Sequence, residues 1–254
     1  MPEPRAFRSH EEGLVALVAG ASGGIGAALA RELLANYRVR RLWLVSRRAV
    51  DLPLAADPRV RLLHGDLLEE AFLERVSHAV GEGGAALDLV LNACGLLHAE
   101  GLSPEKRLAA VSAARLERLF RVNAVLPVLL AQVCAPLLKR SRDGLFASLS
   151  ARVGSISDNA SGGWHAYRAS KAAHNMLLRN VAIEWRVTQP STCVVMLQPG
   201  TVRTALSAPF LQGASAERAL EPAESAAHLL RVLEQVLPAA SGAFLDWRGE
   251  SIPF

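Results

Sequence analysis

Lysine is nearly missing from this sequence. Of the 28 basic residues among 254, 25 are arginine, and the lysines stand only at Lys106, Lys139 and Lys171. Tyrosine is rarer still, present only as Tyr37 and Tyr167. Cysteine is confined to Cys94, Cys134 and Cys193, too few and too far apart for a disulfide framework or a structural zinc cluster, so no metal site is expected. Long apolar runs are also lacking. The longest, residues 124–138, contains Gln132 and two prolines and falls short of the roughly 18 apolar residues that a membrane span needs. Residues 1–12, MPEPRAFRSHEE, hold no apolar stretch of the kind a secretory signal carries and read as a flexible extension. A cytoplasmic protein without a membrane span is the expectation. The net charge of +4 invites an acidic partner, but the arginines are scattered, with no basic stripe interleaved with aromatics, so nucleic acid is not expected.

What is present is an ordinary globular composition, 51% hydrophobic and 20% charged, which excludes a disordered chain. The length suits one large domain, taken as residues 1–254, since no Pro/Gly/Ser linker or internal repeat divides it. Short apolar runs at 14–19, 41–45, 60–64, 87–92, 144–150, 192–198 and 243–247 alternate with segments of helical period at 24–36, 68–80, 112–138, 164–187 and 222–236. Runs apolar on both faces and separated by amphipathic helices predict an α/β fold: a doubly wound parallel sheet of about seven strands in a three-layer αβα arrangement. Polar stretches at 95–107, 151–163 and 199–220 follow the carboxyl ends of strands, the edge at which open α/β sheets bind ligands.

The first strand runs directly into Gly20-Ala21-Ser22-Gly23-Gly24-Ile25-Gly26 and then into a helix. Such a turn presents free backbone N–H groups and the positive end of a helix dipole to a pyrophosphate. Gly20 would make the turn, with Gly24 and Gly26 allowing close approach. The second strand ends Ser46-Arg47-Arg48, without the carboxylate that would bind a free ribose 2′-hydroxyl; two guanidiniums and a hydroxyl suit a 2′-phosphate, favouring NADP(H) over NAD(H). Asp66, followed by Leu67, either caps the next helix or contacts adenine. Farther on, Tyr167 and Lys171 stand four residues apart near the start of a helix, on one face. An ammonium beside a phenol favours the ionised phenol and draws it towards an acid–base range. His165 reads as surface or pocket lining, and Cys94 as a small buried hydrophobe.

GASGGIG, Asn92-Ala93-Cys94-Gly95, Asn123 in RVNAVLP, the serine-ended fifth strand, YRASK and Pro199-Gly200-Thr201-Val202-Arg203-Thr204 occur in the order and spacing of the short-chain dehydrogenase/reductase superfamily, which this sequence resembles over residues 14 to about 204. The stretch SARVGSISDNASGGWHAYRASKAAHNM resembles the C-factor-like branch, itself similar to sniffer-type carbonyl reductases. The resemblance implies a Rossmann-type NAD(P)-binding domain that interconverts a carbonyl and an alcohol on a small or medium apolar substrate. Tyr167 would exchange the proton, Lys171 would lower the phenol's pKa and hold the nicotinamide ribose, and Asn123 would position a water. A serine would bond the developing alkoxide: Ser150, with Ser155 or no serine at all as the alternatives. Asn92, Ala93 and Gly95 would line the cofactor, and Pro199, Gly200, Val202 and Thr204 would wrap the nicotinamide. Residues 199–220 would form a substrate flap, with Trp164, Leu206, Pro209 and Phe210 making an apolar pocket. A homodimer or homotetramer is the further implication. The alternative is a cofactor-binding signalling or regulatory protein of the same fold whose turnover is incidental.

Overall fold

The computed structural model describes residues 5–254. In chain order the strands are β1 Leu14–Ala19, β2 Val39–Ser46, β3 Val60–His64, β4 Leu89–Asn92, β5 Gly144–Leu149, β6 Thr192–Gln198 and β7 Phe244–Asp246. They form one seven-stranded sheet in the order β3-β2-β1-β4-β5-β6-β7, and every pairing is parallel. All six residues of β1 and of β5 are buried, because helices cover both faces. The helices are α1 Gly24–Asn36, α2 Leu52–Ala55, α3 Glu70–Gly81, α4 Ala113–Phe120, α5 Leu126–Leu138, α6 His165–Thr188, α7 Ala214–Glu217 and α8 Pro222–Gln235. Leu29 and Leu33 of α1 pack with Leu229 and Leu233 of α8 on one face. On the other, Leu130 of α5 packs with Leu178 and Trp185 of α6, Trp185 meeting Phe146 of β5 edge-on at 6.3 Å. Each such leucine contributes on the order of 1.5–3 kcal/mol.

The strand order reverses between β1 and β4, which opens a crevice at the carboxyl ends of those strands. The sequence predicted one helix over 112–138. The structure divides it by a π-helical turn at Arg121–Val125, which buries Asn123. By length and composition Ala113–Leu138 is apolar enough to cross a membrane, but half of that window is buried within the fold.

Residues 5–12 depart from the flexible extension expected of them. Arg5 bridges to Tyr37, Phe7 is 1% exposed with its ring 5.6 Å from that of Tyr37, and Arg8 Nε donates to Asp143 at 2.9 Å. His10 lies 3.5 Å from Asp88, whose carboxylate also accepts from Val15 N–H at 2.9 Å and from the Ser141 hydroxyl at 2.7 Å. A single aromatic and paired charges hold a segment whose composition reads as polar. The rest of that expectation, residues 1–4, lies outside the described residues.

Candidate active site

The turn leaving β1 is shaped by main-chain packing. Gly20 has φ +79°, and a Cβ there would sit 2.9 Å from the carbonyl carbon of Ala93. At Gly26 a Cβ would collide with the Gly20 carbonyl, so glycine here allows the helix to pack on the turn. The resulting cleft is lined by Gly20, Ser22, Gly23, Ser46, Arg47, Arg48, Asp66, Leu67, Ala93, Cys94 and Gly95, together with neighbouring apolar residues. Ser46 Oγ donates to Ser22 Oγ at 2.7 Å and accepts from Arg48 N–H at 3.1 Å, fixing the end of β2 against the glycine turn. Arg47 reaches across to Asp66 at 3.4 Å, and Asp66 Oδ1 also accepts from Leu68 N–H at 3.0 Å. Arg48 is exposed and has no acidic partner among the described residues. Cys94 lies on the cleft wall, its thiol pushed up to about 12 by desolvation, which leaves it inert at neutral pH. Asn92 is structural: its amide donates to Ser148 Oγ at 2.9 Å and its oxygen accepts from Cys94 N–H at 3.1 Å.

Beside this cleft lies a second, apolar cavity of about 400 Å³. Its lining includes Ile25, Ser150, Trp164, Tyr167, Pro199, Gly200, Val202, Thr204, Leu206 and Phe210. The Trp164 ring stands 6.1 Å from Tyr167 and 5.1 Å from Phe210. The segment from 199 is tied at its base, where Leu220 N–H donates to Thr201 O at 2.8 Å and Arg203 N–H to Leu220 O at 2.9 Å. His165, one turn before Arg168, is half-buried and outside the lining of this cavity.

Behind the wall the polar groups are buried. Lys171, 3% exposed, donates from Nζ to the Leu149 carbonyl at 2.8 Å, tying α6 to the end of β5. Burial pulls its ammonium down to about 8 and pushes the Tyr167 phenol up to about 12. The lowering of the phenol expected from Lys171 is therefore not what this arrangement produces; desolvation dominates both groups. Asn123 is fully engaged through its side chain: Oδ1 accepts from Leu96 N–H at 2.8 Å, and Nδ2 donates to Leu96 O at 2.8 Å and to Ser170 Oγ at 3.0 Å. Both Nδ2 hydrogens are thus committed, while the main-chain carbonyl, which accepts from His174 Nδ1 at 2.8 Å, keeps a second lone pair for a water. Burial and the Lys171 charge hold His174 down to about 3, so it is neutral.

Of the two candidate serines, Ser150 faces the cavity. Ser155 is 2% exposed, lies outside the lining and accepts from Asp158 N–H at 3.2 Å in a turn. Ser150 Oγ is 2.6 Å from Asn175 Oδ1, to which it donates. His174, Asn175 and the buried Glu105, whose Oε2 accepts from Ala166 N–H at 3.2 Å, were not singled out from the sequence. The signal for the first two was there: they follow Lys171 by three and four residues, on its face of the helix. Among the described residues no group of three or more His, Cys, Asp or Glu side chains is placed to hold a metal.

The model of the short chain dehydrogenase family matches residues 14–214. The C-signal of Myxococcus xanthus is 32% identical over 147 residues, spanning 58% of this chain and 83% of its own. A short-chain dehydrogenase/reductase from Burkholderia multivorans with bound NADP superposes with a TM-score of 0.78 at 28% identity, covering 95% of this chain and 99% of that one. NADPH-bound carbonyl reductase from chicken fatty liver shares the fold, with a TM-score of 0.84 at 24% identity over 98% of this chain and 100% of its own. The parallel order of the sheet, the glycine turn at its switch point and the match over residues 14–214 lead to one conclusion: the chain belongs to the short chain dehydrogenase family.

Proposed function

We propose that this protein is an NADP(H)-dependent oxidoreductase that interconverts a carbonyl and an alcohol on a small or medium apolar substrate, with Tyr167 as its acid and base. The observation that carries the reading is Tyr167 on the wall of an apolar cavity, beside Ser150 and adjoining a cleft whose far end presents Arg47 and Arg48. That cleft fits a dinucleotide. The α1 N-terminus and the Gly20–Gly26 turn suit the pyrophosphate, and Ser22, Ser46, Arg47 and Arg48 suit a 2′-phosphate. Asp66 with Leu67 would flank the adenine, while Ala93 and Gly95 would lie along the ribose. Pro199, Gly200, Val202 and Thr204 would cover the nicotinamide end. When bound, the nicotinamide supplies or takes up a hydride.

A phenol held up to about 12 is a loaded acid at neutral pH. Tyr167 would pass its proton to a carbonyl oxygen as charge develops there, and Lys171, one turn along the same helix, would hold the nicotinamide ribose. Ser150 would donate to the same oxygen. That requires its hydroxyl to turn from Asn175 Oδ1, and rotation of the Asn175 amide would present an N–H to Ser150 Oγ in exchange. Residues 199–220 would act as the substrate flap. Exposed Met176, Ile183 and Val187 on α6, with Val125 beside α5, suit a homodimer or homotetramer contact. A cytoplasmic location accords with the free cysteines Cys94, Cys134 and Cys193.

The test is NADPH oxidation across a panel of aldehydes, ketones and diketones, comparing wild type with Tyr167→Phe. The expected result is turnover in the wild type alone, with cofactor affinity retained in both; equal rates would sink the proposal. Similarity to the C-signal favours a second reading, a cofactor-binding signalling protein with incidental turnover. That reading gains if Tyr167→Phe abolishes turnover while a cellular phenotype persists.

A further inference from the structure

The aromatic wall of the apolar cavity at Tyr167 has a second side. Trp164 and Phe210 also line an adjoining open groove of about 690 Å³, on whose rim stand Lys106, Arg107 and Arg115. Lys106 is one of only three lysines in the chain. Lys106 and Arg107 are exposed and make no side-chain hydrogen bond or ion pair among the described residues; Arg115 has only the Ala110 carbonyl, at 3.2 Å. The groove's single acidic residue, Glu105, is 1% exposed and turned inward, its Oε2 accepting from Ala166 N–H at 3.2 Å. The Glu105 carbonyl accepts from Trp164 N–H as well. The cationic pair is therefore covalently joined to a residue clamped on both sides of the α6 N-terminus, one position before Tyr167. The main chain carrying Lys106 and Arg107 is thus anchored beside the α6 N-terminus, Arg115 of α4 lines the same groove, and among the described residues no carboxylate pairs with any of the three.

We propose that this groove is an anion subsite, and that the substrate is an apolar carbonyl compound bearing a carboxylate or phosphate at the end remote from the reacting carbon. The inference rests on the carbonyl-reducing reading of Tyr167. The apolar segment would fill the cavity against Trp164 and Phe210, and the anion would meet Lys106, Arg107 and Arg115. Exposed ion pairs are individually weak, so the three together correspond to only about a tenfold gain in affinity. That gain must decline as salt screens it.

The experiment uses a medium-chain methyl ketone with a terminal carboxylate, its methyl ester, and the corresponding terminal phosphate, assayed with NADPH. Wild type should show a KM about tenfold lower for the carboxylate than for the ester at similar kcat, and the advantage should fade at high salt. Lys106→Gln/Arg107→Gln/Arg115→Gln should lose the preference and leave ester turnover unchanged. The phosphate arm identifies which anion is favoured. Calorimetric titration of the NADPH-loaded protein with acid and ester supplies a binding readout that is independent of turnover. Equal wild-type affinities for acid and ester, or a preference that survives in the triple variant, would overturn the subsite. Absence of ketone turnover with the binding preference intact would overturn the reductase reading and leave the subsite standing.

Discussion

Replacing Lys171 with methionine should make the cofactor-free protein more stable while abolishing its activity. The ammonium is 3% exposed, and burial draws it from 10.5 to about 8. At about 1.4 kcal/mol per unit, keeping the charge buried at pH 7 costs on the order of 3 kcal/mol. Methionine follows the same path without the charge, but it leaves the Leu149 carbonyl without the 2.8 Å bond from Nζ, a loss of about 1–2 kcal/mol. The net expectation is a gain of about 1–2 kcal/mol at neutral pH. The sign with pH follows from proton counting: between about 8 and 10.5 the unfolded lysine holds a proton that the folded one has released. Wild-type stability from this group therefore rises across that window and is constant below it. Urea denaturation of both proteins without NADPH, at pH 7 and pH 10, reads the effect. The variant should lead at pH 7, and its lead should vanish or reverse by pH 10. A variant less stable at pH 7, or a difference indifferent to pH, would refute the reasoning.

Substitutions at three other places probe the remaining parts of the account. Arg47→Ala/Arg48→Ala should weaken NADPH binding by about ten- to a hundredfold, from the loss of charge-assisted phosphate contacts, and leave NADH binding unchanged in fluorescence titration. Phe7→Ala should cost about 3–5 kcal/mol in urea denaturation, since the ring is 1% exposed and packed on Tyr37; a neutral effect would mean that the segment contributes nothing to the fold. Asn175→Leu should lower kcat by about tenfold with KM for NADPH unchanged, because Ser150 loses the partner that sets its hydroxyl, and Asn175→Gln should fail to restore it.

The central strands could be read because burial on both faces leaves almost no polar positions in them: LVALVA has none and GLFASL only Ser148. The π-helical turn at Arg121–Val125 was not legible, since a shift from i+4 to i+5 bonding leaves the apolar period of the flanking helices intact. Docking of residues 5–12 was hidden for a different reason. One phenylalanine among charges looks like a tail until Tyr37, Asp88 and Asp143, distant in sequence, are brought to it. At the site, the glycine turn and the Tyr167/Lys171 pair followed from spacing, but their electrostatics did not. Spacing suggests that an ammonium lowers a phenol, whereas the depth at which both are buried pushes the phenol up and the lysine down. The sequence already favoured Ser150 over Ser155, and Ser150 lines the apolar cavity whereas Ser155 does not.

The most direct measurement follows a label. NADPH deuterated at the transferable position, given to the protein with a ketone it reduces, should yield an alcohol carrying deuterium at the carbinol carbon with wild type, and no labelled product above background with Tyr167→Phe under the same conditions. An unlabelled alcohol from wild type, or equal labelling by the two proteins, would contradict hydride transfer coupled to a proton from Tyr167.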